Sequence, residues 1–347
     1  MHNPLVFHHG KMGATLEREV IPLRYTNPMD EYWALAKTAG VADVSHLGRL
    51  NITGKDRVAF LNGLLTNDIS KLKDDEGAHS VLLNPKARVT ADLYVYALSD
   101  SFLIDTGEES ASKVKEILDR FVITEEVRIE DISNSTVLLT VQGPSSAQVL
   151  KEIFKAEVDG LGSLRTKSIG PSLIIVRDRT GRGGFDILIP ADEAESVWQN
   201  FLLRGEQSVR PVGSEALEIL RLEAGIPKYG VDVDEDTIVL EAGYSDAISF
   251  TKGCYMGQEV VARATHIGRV NRRLVQLEVD GKETPEPRSP ITAESGPAGL
   301  ITSSRFSPSL AKTIALGYVG RDFASVGTKL RVNVAGTDFP AIVKKLV

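Results

Sequence analysis

One cysteine, Cys254, stands in the 347 residues of this chain. That scarcity excludes an intramolecular disulfide, and it excludes a four-thiolate zinc or iron–sulfur site held by one chain. Histidine is sparse too: residues 2, 8, 9, 46, 79 and 266 show no spacing of the HExxH kind. His8 and His9 adjoin as a metal pair, but a solvated terminal segment is the expected reading. No apolar run is long enough to span a bilayer. The N-terminal MHNPLVFHHGKMGATLE lacks a charged region followed by a long apolar one, so no secretory signal is expected there. Basic charge is not in excess: 40 Lys and Arg against 47 Asp and Glu give a net charge of −7. That balance argues against broad contact with nucleic acid or an anionic membrane, leaving only the local group Arg269, Arg272 and Arg273. Cytoplasm is the expected location. Phosphate and nucleophile motifs are missing as well: there is no GxGxxG after a strand, no GxxxxGK[ST] and no GxSxG. A dehydrogenase or NTPase reading loses its usual anchor.

What is present is an ordinary globular composition, 42% hydrophobic and 25% charged, at a length that favours two or three domains. MDEYWALAKTAGVADVS predicts a helix closed by Gly40 and a short buried strand. LGRLNITG alternates as a strand, and KDRVAFLNGLLTNDI places Val58, Leu61, Leu64 and Leu65 at helical spacing. Three strands follow, with turns at Asn84-Pro85 and Ser99-Asp100, then an amphipathic helix in ESASKVKEILDRFVI. A second α+β stretch repeats the pattern: STVLLTVQG, a helix opened by Pro144, and a hairpin in SLIIVRDRTGRGGFDILIP that turns on Gly181, Gly183 and Gly184. ADEAESVWQNFLLRG and GSEALEILRLEAGI predict helices. Beyond about residue 270, short strands separated by Gly and Pro predict a small antiparallel sandwich or barrel.

Cys254 lies in FTKGCYMGQEVVA, with Lys252 two residues before it and Gly253 and Gly257 on either side. GQEVVARA predicts a helix after Gly257, which places the thiol just ahead of a helix N-terminus. Positive potential there and a nearby ammonium favour thiolate over thiol. Cysteines are also commonly inert core residues, and His266 offers a base without an identifiable third partner.

KGCYMGQE, Lys252–Glu259, resembles the KGCYxGQE signature of the YgfZ family of folate-binding, iron–sulfur-related proteins. AGVADVSHLGRLNITGKDRVAFLNGLLTNDI and LRLEAGIPKYGVDVDEDTIVLEAG are similar to the wider superfamily that includes the glycine-cleavage T protein, an aminomethyltransferase. The resemblance covers roughly residues 25–345. It implies an α+β fold, a three-domain ring of the aminomethyltransferase type: two ferredoxin-like α+β modules and a small C-terminal β-barrel around a hole that admits tetrahydrofolate. Its expected divisions are 1–50 with 138–250 as a discontinuous folate-binding domain, 51–137 as a second domain, and 251–347 as the third.

Within that superfamily the transferases carry DDL where this chain has Ala91-Asp92-Leu93, and YTGEDGFE where it has RTGRGGFD. The paired carboxylates sit beside the folate, where one can orient the aminomethyl group and stabilise charge as ammonia leaves. Arg182 replaces a glutamate that reads the pterin, and an arginine cannot accept a hydrogen bond. These departures, with the extra cysteine, point to the YgfZ-like branch. The implied function is a tetrahydrofolate-binding accessory protein for iron–sulfur cluster assembly or repair, acting through Cys254 and Lys252, with iron–sulfur enzymes or assembly proteins as partners. The implied folate contacts are Asp92, Arg221, Glu223, Tyr229, Gln258 and Glu259, with a one-carbon-loaded folate as the other candidate ligand. No resident metal, no nucleic acid and no membrane is expected. The rival readings are a folate-dependent aminomethyltransferase or demethylase, and a folate-sensing module in which the thiol is dispensable. Arg221 and Glu223 equally suit a structural pair, Tyr229 turn packing, and Asp43, Ser45 and His46 a packed lining of the first domain.

Overall fold

Asn27 accepts the Met29 N–H at 2.9 Å and Pro28 occupies the first helical position, so local chemistry starts the helix Pro28–Lys37. The helix ends at Thr38, and Gly40 opens the strand Gly40–Asp43. Gly40 is therefore not the helix stop expected from its position. A methyl group there would lie 2.7 Å from Leu35 and 2.8 Å from Val212, so the glycine answers to packing.

The computed structural model describes residues 3–108, 110–204, 209–266 and 270–347. The chain forms two compact units: Met1–Leu61, Ile69–His79 and Leu93–Leu220 make the first, and Asn62–Asp68, Ser80–Asp92 and Arg221–Val347 make the second. The strands Gly77–Leu83 and Val89–Ala97 each contribute residues to both.

The first unit contains a six-stranded sheet in the order Thr166–Ile169, Ser172–Val176, Gly184–Pro190, Thr136–Gln142, Gly40–Asp43, Arg210–Pro211. Strand alternation explains its faces. Val137, Leu139 and Val141 point to a core shared with Val149 and Leu150 of the helix Ser146–Phe154 and with Trp198 and Phe201 of Ala194–Arg204. Leu138 and Ala42 point the other way, toward Tyr32 and Leu35 of the helix Pro28–Lys37. A five-stranded sheet has the order Gly77–Leu83, Val89–Ala97, Ser101–Glu108, Leu47–Thr53, Arg128–Asp131. Its Tyr96 and Leu103 pack on Leu173 and Ile175 of the six-stranded sheet.

In the second unit, six strands close into a barrel in the order Arg272–Val279, Lys312–Gly320, Gly296–Ser307, Pro290–Ala293, Lys329–Val334, Thr337–Leu346. Inward Val275, Leu277, Ile291, Val319, Val332 and Val343 fill it. The sandwich-or-barrel alternative resolves as a barrel. No helix among the described residues is long and apolar enough to cross a membrane.

Candidate functional site

Cys254 is exposed, four residues ahead of the helix Gln258–His266, as its sequence position implied. Lys252 and Tyr255, close to it in the chain, are buried. The Lys252 ammonium is buried and donates to the carbonyls of Asn62 at 2.7 Å, Leu65 at 2.6 Å and Asn67 at 2.7 Å. Asn62 and Leu65 belong to the end of the helix Arg57–Leu64 and the residue after it, where carbonyls lack intrahelical partners. Burial brings the Lys252 pKa down to about 8. An ammonium has three protons, and all three are engaged, so no hydrogen bond joins Lys252 to the thiol. Tyr255 packs among Val81, Leu83, Val89 and Val261. Gly257 has φ +82°, and a methyl group there would lie 2.8 Å from the Asn84 carbonyl oxygen. The motif residues thus fasten the loop, and the fastened loop presents the thiol. His2, Arg269 and the side chain of His266 lie outside the described residues.

Asp92 lies in the strand Val89–Ala97, half-buried, and the Tyr244 hydroxyl donates to its Oδ2 at 3.1 Å. Ala91, on the opposite face, is fully buried. The missing first carboxylate of the DDL pattern therefore falls at an inward position of the strand, where a carboxylate would be desolvated. Its replacement by alanine leaves the outward position intact, which removes one of the arguments against transferase chemistry.

The other implied folate contacts are spread over different duties. Arg221 donates to Asp232 Oδ2 at 2.7 Å, to the Ile226 carbonyl and to Ser303 Oγ at 3.2 Å. Asp232 also accepts from Lys228 N–H, Thr302 and Ser303. Glu223 accepts from Ser307 and Ser309. Tyr229 donates to the Thr90 carbonyl at 2.6 Å. These three hold segments of the second unit together. Gln258 is half-buried at the start of its helix, and Glu259 is exposed.

Sequence reasoning missed two polar clusters in the first unit. In one, His9 is fully buried, not solvated as expected: Nε2–H donates to Asp43 Oδ2 at 2.8 Å, and Nδ1 accepts from the Tyr25 hydroxyl at 2.8 Å. The tautomer follows from the Asp43 carboxylate, which can only accept. Burial alone would raise the Asp43 pKa. The hydrogen bond from His9, with hydrogen bonds from Asn3 and Ser45, holds it below the usual carboxylate value. His8, half-buried, meets Glu195 at 3.1 Å. Among the described residues, no group of three or more His, Cys, Asp or Glu is placed to hold a metal.

The second cluster lies where the RTGRGGFD loop meets the strands. Asp178 accepts the N–H groups of Thr180, Gly181, Arg182 and Gly183 and so shapes the turn. Arg182 is exposed. The arginine that engages buried acids is Arg179, at the tyrosine position of the YTGEDGFE pattern. Its Nε donates to both oxygens of Asp186 at 3.0 and 3.1 Å, and its Nη2 donates to Asp186 at 2.6 Å and to Asp105 Oδ2 at 3.0 Å. Asp105 follows the apolar run FLI in its strand and Asp186 interrupts the apolar run of GFDILIP, both at buried positions. That interruption was the available signal.

The GCVT N-terminal domain model matches residues 1–252, and the glycine cleavage T-protein C-terminal barrel domain matches residues 272–347. The chain belongs to the GCVT family. An aminomethyltransferase of Desulfitobacterium hafniense is 32% identical over 351 residues, which is 96% of this chain and 93% of that protein. An aminomethyltransferase of Caldanaerobacter subterraneus subsp. tengcongensis is 30% identical over 331 residues, 93% and 88% of the two chains. The crystal structure of glycine cleavage system aminomethyltransferase T from Bartonella henselae matches with a TM-score of 0.92 at 26% identity, over 99% of this chain and 96% of that one. The GCVT assignment bears out the expected aminomethyltransferase-type fold. These relatives carry the aminomethyltransferase name, which favours the rival reading of the sequence over the YgfZ-like one.

Proposed function

We propose that this GCVT-family chain is a one-carbon transferase of the aminomethyltransferase type that works with tetrahydrofolate. The observation that carries the reading is its end-to-end similarity to proteins of that name. Asp92 is its acid–base residue. The carboxylate is half-buried and held by Tyr244, so it suits an amine-bearing ligand. Bound tetrahydrofolate supplies the amines that receive the one-carbon unit. Asp92 orients the aminomethyl group and offsets positive charge as ammonia departs, and the Tyr244 hydroxyl keeps the carboxylate in one orientation. Supplying the full chain with tetrahydrofolate and an aminomethyl donor, whose carbon is already at the oxidation level of the methylene product, tests this. Methylene-tetrahydrofolate should accumulate, and its absence with every donor would sink the reading.

The exposed Cys254 favours a second reading. Here the chain is a YgfZ-like accessory protein that binds folate and presents a thiol to iron–sulfur enzymes or their assembly proteins. Lys252 positions the loop. Full restoration of iron–sulfur enzyme activity by a Cys254→Ala chain would count against it.

A further inference from the structure

Thr66 is fully buried, and its polar atoms join two parts of the second unit. On one side stands the strand Gly77–Leu83, which neighbours the Asp92 strand in the five-stranded sheet. There the Thr66 N–H donates to the Val81 carbonyl at 3.2 Å, and Oγ1 accepts the Val81 N–H at 2.9 Å. On the other side Oγ1 donates to the Ala247 carbonyl at 2.7 Å, and the Thr66 carbonyl accepts the Ser249 N–H at 3.0 Å. Ala247 ends the short helical turn Ser245–Ala247, and Tyr244 caps the start of that turn. The Thr66 hydroxyl is thus a strut between the sheet and the turn that carries Tyr244. Lys252 fixes the strut along the chain, because it holds the carbonyls of Leu65 and Asn67 on either side of Thr66.

Tyr244 and Ala247 pack in one apolar cluster with Val81 and Val89, and a close-packed cluster transmits small shifts. The Tyr244 hydroxyl meets Asp92 at 3.1 Å, already long for a bond between a hydroxyl and an oxygen. A retreat of the turn by a few tenths of an ångström would break it. We propose that Thr66 is a positioning residue for the transfer step: its hydroxyl sets the turn, the turn sets Tyr244, and Tyr244 holds the Asp92 carboxylate. This role rests on the reading of Asp92 as the acid–base residue, but the tie from Thr66 to Asp92 can be observed without turnover.

The test is a double-mutant cycle on the full chain with Thr66→Val and Tyr244→Phe. It measures kcat with tetrahydrofolate and an aminomethyl donor, and in parallel the NMR signal of tyrosine labelled at the ring Cζ. The Tyr244 signal is the one that Tyr244→Phe removes. Thr66→Val should lower kcat about tenfold, through misplacement of the carboxylate, and leave KM for tetrahydrofolate unchanged. In the Tyr244→Phe chain the same substitution should change kcat by about twofold or less, because the two residues act in series. Thr66→Ser keeps the hydroxyl and should match the wild type. Thr66→Val should also move the Tyr244 signal in the direction that Asp92→Asn moves it. Independent effects of the two substitutions on kcat, a Tyr244 signal that stays in place, a serine chain as impaired as the valine chain, or a valine chain that fails to fold overturns the proposal. Wild-type turnover with an unmoved Tyr244 signal would remove the positioning role and leave the transferase reading standing. A moved signal without wild-type turnover would remove the transferase reading and leave the tie from Thr66 to Asp92 standing.

Discussion

The ammonium of Lys252 sits 2.6 Å from the main-chain oxygen of Leu65 and makes similar contacts to the carbonyls of Asn62 and Asn67. A residue that looked like an activator of the neighbouring thiol is the fastening of its loop. Lys252→Met should destabilise the chain by about 2–3 kcal/mol, since hydrogen bonds to a charged donor are lost and carbonyls near a helix end go unmatched. Lys252→Arg should not restore it, because a planar fork cannot point three donors at three converging carbonyls. Urea unfolding of the three chains checks this. A methionine variant as stable as the wild type would refute the clamp.

Gly257 carries the second fastening. Its φ of +82° and the nearby Asn84 carbonyl leave no room for a side chain. Gly257→Ala should cost about 1–3 kcal/mol through backbone strain and the collision, seen as a lowered Tm. A methyl group at Gly253 would have nothing within 4 Å, and the residue has no positive φ, so Gly253→Ala should leave the Tm nearly unchanged. Equal effects at both positions would contradict the account.

Asp43 and His9 give the first unit an acid-sensitive tie. The folded Asp43 carboxyl titrates below the ordinary value of 3.8. Its stabilising contribution is therefore complete above that value and is lost as pH falls through the folded pKa. Asp43→Asn should cost about 1.5–3 kcal/mol near neutral pH, since the bond it weakens is charge-assisted. It should also flatten the acid limb of the stability profile. Parallel acid limbs for the two chains would show that the pair contributes nothing there.

Cys254 should react with a thiol reagent in the folded chain, one equivalent at a rate comparable to an exposed small-molecule thiol. A thiol that reacts only after denaturant is added would place it in the interior.

Much of the fold was legible because it rests on short-range patterns. Asn84-Pro85 and the glycines of RTGRGG marked turns, and Val137, Leu139 and Val141 alternated as a buried face should. The six-residue helix Val6–Lys11 was missed, because too few turns repeat for a period to show. His9 was misjudged for a related reason: its partners Asp43 and Tyr25 lie far along the chain, and sequence spacing cannot place them. The same holds for Arg179, whose acids come from two strands. Ala91 was weighed as a ligand-facing loss, although strand alternation already assigns 91 and 92 to opposite faces.

The central claim is that Asp92 serves one-carbon transfer with tetrahydrofolate. The most direct measurement compares methylene-tetrahydrofolate formation by the wild-type chain, Asp92→Asn and Tyr244→Phe, with binding of tetrahydrofolate measured in parallel. The account predicts turnover in the wild type, a fall of about 10²–10⁴-fold in Asp92→Asn, and a smaller fall in Tyr244→Phe, with folded structure retained in both. Turnover in Asp92→Asn equal to that of the wild type would contradict it.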